Sequence, residues 1–236
     1  MSINTLVFKF PSVTSTQDLS EAIYSMINAD KFVIVAEEQT KARGRYKREW
    51  YSPKGGLWFT YVIKGFNAEK IPFTTLSTAL AVREALSNYV EAMIRWPNDV
   101  VTKKGKISGI LVEGIVEGGE ATVFIGVGIN TNVSEFPAEI RATSILIETG
   151  RQVDNDRLLE EVIKKIDEYV KFEEKKIVDE INKYLSIKEK AVKLTGKDWE
   201  RECKALFVDF MGRLVTDCGI FEVEEVLRVE EKSLNY

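Results

Sequence analysis

Histidine is absent from all 236 positions, cysteine occurs twice and proline five times. The missing imidazole excludes Ser-His-Asp and Cys-His catalysis, histidine-ligated zinc and any imidazole general base. Proton transfer is left to Lys, Asp, Glu or water, and the metal class left is a hard, oxygen-bound ion such as Mg²⁺. Cys203 and Cys218 are too few for a disulfide scaffold or a four-cysteine zinc site. They flank a turn expected near Met211 and Gly212; two buried free thiols are the favoured reading, with a bridge as the alternative. No apolar run reaches the roughly 18–20 residues a membrane helix needs, the run at 110–116 being interrupted by Glu113. The first ten residues lack the basic start and apolar core of a signal peptide, so a cytoplasmic protein that binds no membrane is expected. With 33 basic and 37 acidic residues the net charge is −4, which argues against nucleic acid as a partner.

What is present divides in two. Residues 6–10, 32–36, 57–63, 94–96, 100–102, 106–116 and 121–129 read as strands, with a reversal at Gly118 and Gly119. Ser15 or Thr16 caps a helix whose apolar face carries Leu19, Ala22, Ile23, Met26 and Ile27. Residues 71–90 form a second helix with Leu76, Ala79, Leu80 and Leu86 on its stripe. Residues 154–172 form a third with Leu159, Val162, Ile163, Ile166 and Val170, and a fourth follows with Ile177, Ile181, Tyr184 and Leu185. From about residue 189 the texture changes to short strands at 191–194, 201–209, 213–217 and 220–223, separated by Gly196, Gly212 and Gly219; this predicts a small β-barrel. The expectation is an α+β chain with a mixed-sheet domain over residues 1–185 and a barrel over 186–236.

Residues 37–60 concentrate positive charge. Arg43, Arg45, Lys47 and Arg48 surround Gly44 and precede Trp50 and a Ser-Pro-x-Gly-Gly turn from Ser52. Such a loop, held between two strands, is suited to closing over an anion: guanidinium forks match carboxylate and phosphate oxygens, and glycine lets backbone approach. A solvated basic loop is the bland alternative. A second segment, residues 95–113, reads Arg-Trp-Pro-Asn-Asp, then a Lys-Lys-Gly turn, Lys106, and Gly-Ile-Leu-Val-Glu.

Taken together the two segments resemble the biotin protein ligase family. Its GRGRxGRxW-x-SPxGG loop is matched from Ala42 to Gly56, and its KWPND…K…GILxE signature from Arg95 to Glu113. Gly126-Val-Gly-Ile-Asn130 is similar to its G-x-G-I-N strand end, and Ser15-Thr16-Gln17 to its early Ser-Thr-Asn. The resemblance implies a class II synthetase-like catalytic domain of the biotinyl/lipoyl transferase type, followed by an SH3-like β-barrel. It also implies an ATP-dependent ligase that forms biotinyl-5′-AMP and passes biotin to a lysine of a biotin carboxyl carrier protein, with Mg²⁺ carried on the nucleotide.

Residue by residue, the resemblance assigns catalysis to Lys106, Arg45, Arg43 and Asp99. Biotin binding falls to Ser15, Thr16, Gln17, Gln39, Arg43, Gly44, Arg45, Lys106 and Gly109. The nucleotide and adenylate fall to Arg43, Arg45, Arg48, Trp50, Asn98, Lys106 and Asn130. The loop is expected to be mobile until an anion screens its charges. Three positions depart from the pattern: Ala42 and Lys47 replace glycines, and Arg95 replaces a lysine. Larger relatives begin with a DNA-binding winged helix, whereas the motifs here begin near residue 1, so a monofunctional ligase is expected, and the resemblance implies a homodimer. A lipoate–protein ligase of the same fold and a non-catalytic biotin-binding regulator are the rivals.

Overall fold

β-Branched and aromatic residues favour pleated, half-buried surfaces, and here they build two sheets. The computed structural model describes residues 5–117 and 120–232, so the reversal expected at Gly118 and Gly119 lies outside the described residues. The first sheet holds β1 (Leu6–Val13), β2 (Lys31–Gln39), β3 (Leu57–Phe66), β4 (Met93–Arg95), β5 (Asp99–Val101), β6 (Lys106–Glu117) and β7 (Glu120–Ile129). Its seven strands run in the order β1-β2-β3-β7-β6-β5-β4. Only the β1–β2 pair is parallel; every other neighbour is antiparallel.

β3 is buried from Leu57 through Ile63, which both faces of the sheet explain. On one face Phe59, Tyr61 and Ile125 pack against α2 (Ile71–Leu86) and α4 (Asn155–Tyr169). On the other, Phe32, Ile34, Val62 and Phe124 meet Leu19 and Ile23 of α1 (Thr16–Ile23). Two further helices, α3 (Ile145–Thr149) and α5 (Glu174–Tyr184), complete this part. The second sheet holds β8 (Ala191–Thr195), β9 (Glu200–Val208), β10 (Leu214–Thr216), β11 (Gly219–Phe221) and β12 (Arg228–Glu231) in the antiparallel order β11-β10-β9-β8-β12. It fits the expected SH3-like domain, and the mixed α+β class is as read from the sequence.

The sequence reading departs from the structure in particular places. α1 stops at Ile23, and Met26, expected on its apolar face, is 79% exposed. Its buried residues are instead Thr16, Gln17 and Ser20. α2 ends at Leu86 rather than residue 90. α3 and β12 were not expected; in β12 only Val229 is buried, so no alternation announces the strand. Cys203 and Cys218 form a disulfide with Cα atoms 5.7 Å apart, so the expected pair of free thiols is corrected. Antiparallel pairing of β9 with β10, with a register shift at Val215/Thr216, brings Cys218 back beside Cys203.

Candidate functional site

The basic segment is a tight hairpin. Gly44 N–H donates to Arg48 O at 2.8 Å, Trp50 N–H to Ala42 O at 2.9 Å, and Arg48 N–H to Arg45 O at 3.3 Å. Tyr46 and Lys47 at its tip both have φ of 57°. This is the left-handed geometry of the two central residues of a type I′ turn, where glycine and asparagine are usual. Two ordinary side chains held there cost about 1–2 kcal/mol each. The tip is pinned by the second sheet's segment: Arg45 donates to the carbonyls of Val223 and Val226, Tyr46 hydroxyl to Glu224 O, and Arg48 to Leu227 O. The loop's guanidinium and phenol groups are thus held by backbone carbonyls of residues 223–227.

Behind the hairpin, three glycines leave the sheet floor bare. Gly109 on β6 faces Gly128 on β7 across the ladder. The Trp50 indole lies over both: a Cβ on Gly109 would sit 2.9 Å from Trp50, and one on Gly128 2.6 Å from its Nε1. That indole N–H is buried without a partner. Gly126 opens the next position, where a Cβ would meet Gln17 Oε1 at 2.6 Å.

Lys106, the first residue of β6, extends over this floor with its ammonium 4.7 Å from the Trp50 ring centre. It pairs with Asp99 at 2.5 Å, and Arg95 donates to the other Asp99 oxygen at 2.7 and 3.2 Å. Burial pushes the Lys106 ammonium down, Asp99 offsets this only in part, and its pKa lies below the ordinary lysine value. Burial pushes the Asp99 carboxyl up, but Lys106 and Arg95 outweigh it and hold its pKa below the ordinary carboxylate value. An acid held this firmly ionised orients a neighbour better than it accepts a proton. Arg48 is lowered by burial first and then by the nearby Arg228 charge. Both arginines line the cavity, so their repulsion would be relieved by an anion.

The polar end of the cavity is one hydrogen-bonded run. Ser15 caps α1, accepting from Asp18 N–H at 3.2 Å. Thr16 N–H donates to Gln39 Oε1 at 2.8 Å, and Gln39 Nε2 to Ser52 Oγ at 3.0 Å. Thr60 Oγ1 lies 3.0 Å from Thr16 Oγ1 and 3.1 Å from Gln17 Oε1. Asn98 and Asn130 brace backbone: Asn98 Nδ2 donates to Ile110 O, and Asn130 Nδ2 to the carbonyls of Lys106 and Thr143. Asn130 Oδ1 is buried and unpartnered.

All the expected residues line one cavity of about 1240 Å³, which reaches from Ser15 and Gln17 to Arg228 and Lys232. Arg43 lines the cavity with its guanidinium paired to Glu113, Asp18 and Glu21. Sequence reasoning placed Glu113, Gly126 and Gly128 in motifs without giving them a role, and passed over Tyr46. Strand alternation on β6 gave a usable signal, since Gly109, Leu111 and Glu113 fall on one face.

Residues 7–130 match the model of the biotin/lipoate A/B protein ligase family. The chain is 31% identical over 160 residues to the bifunctional ligase/repressor of Bacillus subtilis, covering 64% of this chain and 49% of that protein. It is 28% identical over 166 residues to the biotin–[acetyl-CoA-carboxylase] ligase of Mycobacterium tuberculosis, covering 65% and 59%. The chain thus spans about half the length of the curated relatives it matches. Among solved structures, the biotin protein ligase from Aquifex aeolicus in complex with biotin and ATP superposes with a TM-score of 0.81 at 30% identity, over 96% of this chain and 99% of that one.

Proposed function

Because the chain belongs to the biotin/lipoate A/B protein ligase family, we propose that it is a biotin–protein ligase that activates biotin with ATP and biotinylates a carrier lysine. The observation that carries this reading is Lys106, a half-buried ammonium fixed on a strand over a glycine floor inside one cavity. In the first step a biotin carboxylate oxygen bonds to the α-phosphorus of ATP and pyrophosphate leaves, giving biotinyl-5′-AMP. In the second the carrier's lysine amine attacks the acyl carbon, AMP leaves, and the amine loses a proton to solvent.

The obstacle in the first step is two anions brought together. At about 4 Å and an effective dielectric near 20 they repel by roughly 4 kcal/mol, worth about three orders of magnitude in rate. Lys106 stands between them, with Arg48 and Arg228 toward the phosphates and Arg45 at the hairpin that closes the adenylate in. Asp99 holds the Lys106 ammonium in place. Thr16, Gln39 and Ser15 offer the paired donors and acceptors that a ureido ring needs, Gln17 supports them, and Gly109 and Gly44 allow close backbone approach. Trp50 packs along the bound adenylate. Asn98 braces the strands beside the nucleotide.

Mg²⁺ would enter with ATP and neutralise phosphate charge, and among the described residues no cluster of acidic ligands lining the cavity would hold it without the nucleotide. The acceptor is a biotin carboxyl carrier protein, supported by the carboxylase in the names of relatives from Mycobacterium tuberculosis and Paracoccus denitrificans. We place the domain boundary at 185/186, between α5 and the second sheet. The protein is proposed to act in the cytoplasm as a homodimer, for which the exposed Leu6, Val7 and Phe8 on edge strand β1 offer an apolar surface.

Mass spectrometry of the purified protein mixed with ATP, Mg²⁺ and either biotin or lipoate tests the reading. Biotinyl-AMP alone is expected. Lipoyl-AMP alone would reassign the substrate, and no adenylate with either would remove the enzymatic claim.

A further inference from the structure

Arg43 lines the cavity, yet each nitrogen of its guanidinium already faces a carboxylate. Its Nη1 and Nη2 donate to the two oxygens of Glu113 at 2.7 and 2.9 Å, and its Nε to Asp18 at 2.8 Å, with Glu21 at 3.5 Å. Three carboxylates around one guanidinium leave a net negative surround, which would repel an incoming anion. Glu113 makes a second bond of equal importance: Gln17 Nε2 donates to its Oε2 at 2.8 Å. Burial pushes the Glu113 carboxyl up, but Arg43 and Gln17 outweigh it and keep its pKa below the ordinary value.

We propose that Glu113 is a positioning residue that ties the basic hairpin, through Arg43, to Gln17 beneath the polar end of the cavity. Arg43 is then a tether, not a cation offered to the ligand. A carboxylate only accepts, so Gln17 can turn only its NH₂ toward Glu113. Its Oε1 is thereby left for the Thr60 hydroxyl at 3.1 Å. Thr60 has one proton to give, and it is shared between Gln17 Oε1 and Thr16 Oγ1 at 3.0 Å. Thr16 in turn meets Gln39, Gln39 donates to Ser52, and Ser52 Oγ donates to Trp50 O at 3.2 Å. The run starts at one strand of the hairpin and returns to the other. One half-buried carboxylate therefore sets both where the hairpin sits and which way the Thr60 hydroxyl points.

The ligand named here rests on the biotin reading above; the tether does not. Two variants separate them, Glu113→Gln, which keeps shape but presents a donor where only acceptors fit, and Asp18→Asn, which loosens Arg43 without touching Gln17. The hairpin carries Lys41, Arg43, Arg45, Lys47 and Arg48, all trypsin sites. Native-state cleavage there should rise about tenfold in Glu113→Gln, the loss expected for a broken charge-assisted pair, and by less in Asp18→Asn. By calorimetry, biotin affinity should fall by about tenfold in Glu113→Gln alone, while its KM for ATP stays at the wild-type value. Unchanged cleavage in both variants overturns the tether. Unchanged biotin affinity in a folded Glu113→Gln, or an equal rise in both KM values, overturns the positioning role. No heat with biotin in the wild-type protein would sink the functional reading instead, and the trypsin comparison would still decide the tether.

Discussion

Lys106 must stay charged in a place that disfavours charge. Burial lowers its pKa and Arg95 and Arg48 add to this; Asp99 is what holds the proton on. Replacing Asp99 by Asn removes that support, so the Lys106 pKa falls further. An ammonium is required for bridging two anions, and it is lost as pH rises through its pKa. The alkaline limb of the adenylation rate should therefore move to lower pH in Asp99→Asn. A limb that stays where it is in the wild type would show that Asp99 does not govern the lysine's charge. Gly128 poses the converse question of space. A Cβ there would lie 2.6 Å from Trp50 Nε1, so Gly128→Ala must displace the indole from the floor. Tryptophan emission should shift and adenylate formation should drop by about tenfold, and the melting temperature should fall by several degrees, since overpacking of this size costs on the order of 1–3 kcal/mol. An unchanged rate would mean that the indole's seat is irrelevant to the chemistry.

Among elements, α2 and α4 are joined by a charged tie as well as by apolar packing. Glu84 on α2 accepts from Lys165 at 2.7 Å and from the Tyr169 hydroxyl at 2.5 Å, both on α4. Burial pushes Glu84 up, but those two hydrogen bonds outweigh it and its pKa is lowered overall. Lys165 is raised, chiefly by its bond to Glu84. The depressed carboxyl contributes stability that is present above the unfolded carboxylate pKa and lost as pH falls through the folded one. The raised ammonium contributes below the ordinary lysine pKa and is lost as pH rises through its folded value. Glu84→Gln should thus destabilise the fold by a constant amount between about pH 5 and 9, and the difference from wild type should shrink below about pH 4. Urea unfolding across this range checks it; a difference that persists undiminished in acid would assign the effect to packing.

At the scale of the molecule, the hairpin and the second sheet hold each other. Among the described residues Arg45, Tyr46 and Arg48 pair with no carboxylate at their docking point and instead bind carbonyls of residues 223–227. The second sheet is itself closed by the Cys203–Cys218 bridge, with 15 residues of separation. A cross-link of that loop length contributes about 3 kcal/mol in the chain-entropy account. Cys218→Ser, or reductant on the wild type, should lower the melting temperature of the second sheet and loosen the hairpin's docking point. Identical melting curves with and without dithiothreitol would show that the bridge does not act in solution.

Much of this was legible in order along the chain. The glycine-arginine loop, the Trp-Pro-Asn-Asp turn, Lys106 and the Gly-x-Gly-Ile-Asn strand end are local patterns, and local spacing places them on strands and turns without any distant partner. The core stripes of α2 and α4 were legible for the same reason, since burial follows helical period. The polar face of α1 was not, because Thr16, Gln17 and Ser20 are buried against a cavity floor that other strands build. Nor was the partner of Arg43, which stands 70 residues from Glu113, nor the docking of Arg45 on Val223, 178 residues away. The sequence by itself determined the residue types, their periodicity and hence the fold class and the chemistry available. Only the tertiary structure decided which charges are paired and which face the cavity, because a side chain's partner is set by where distant strands return, through register and twist that no local spacing encodes.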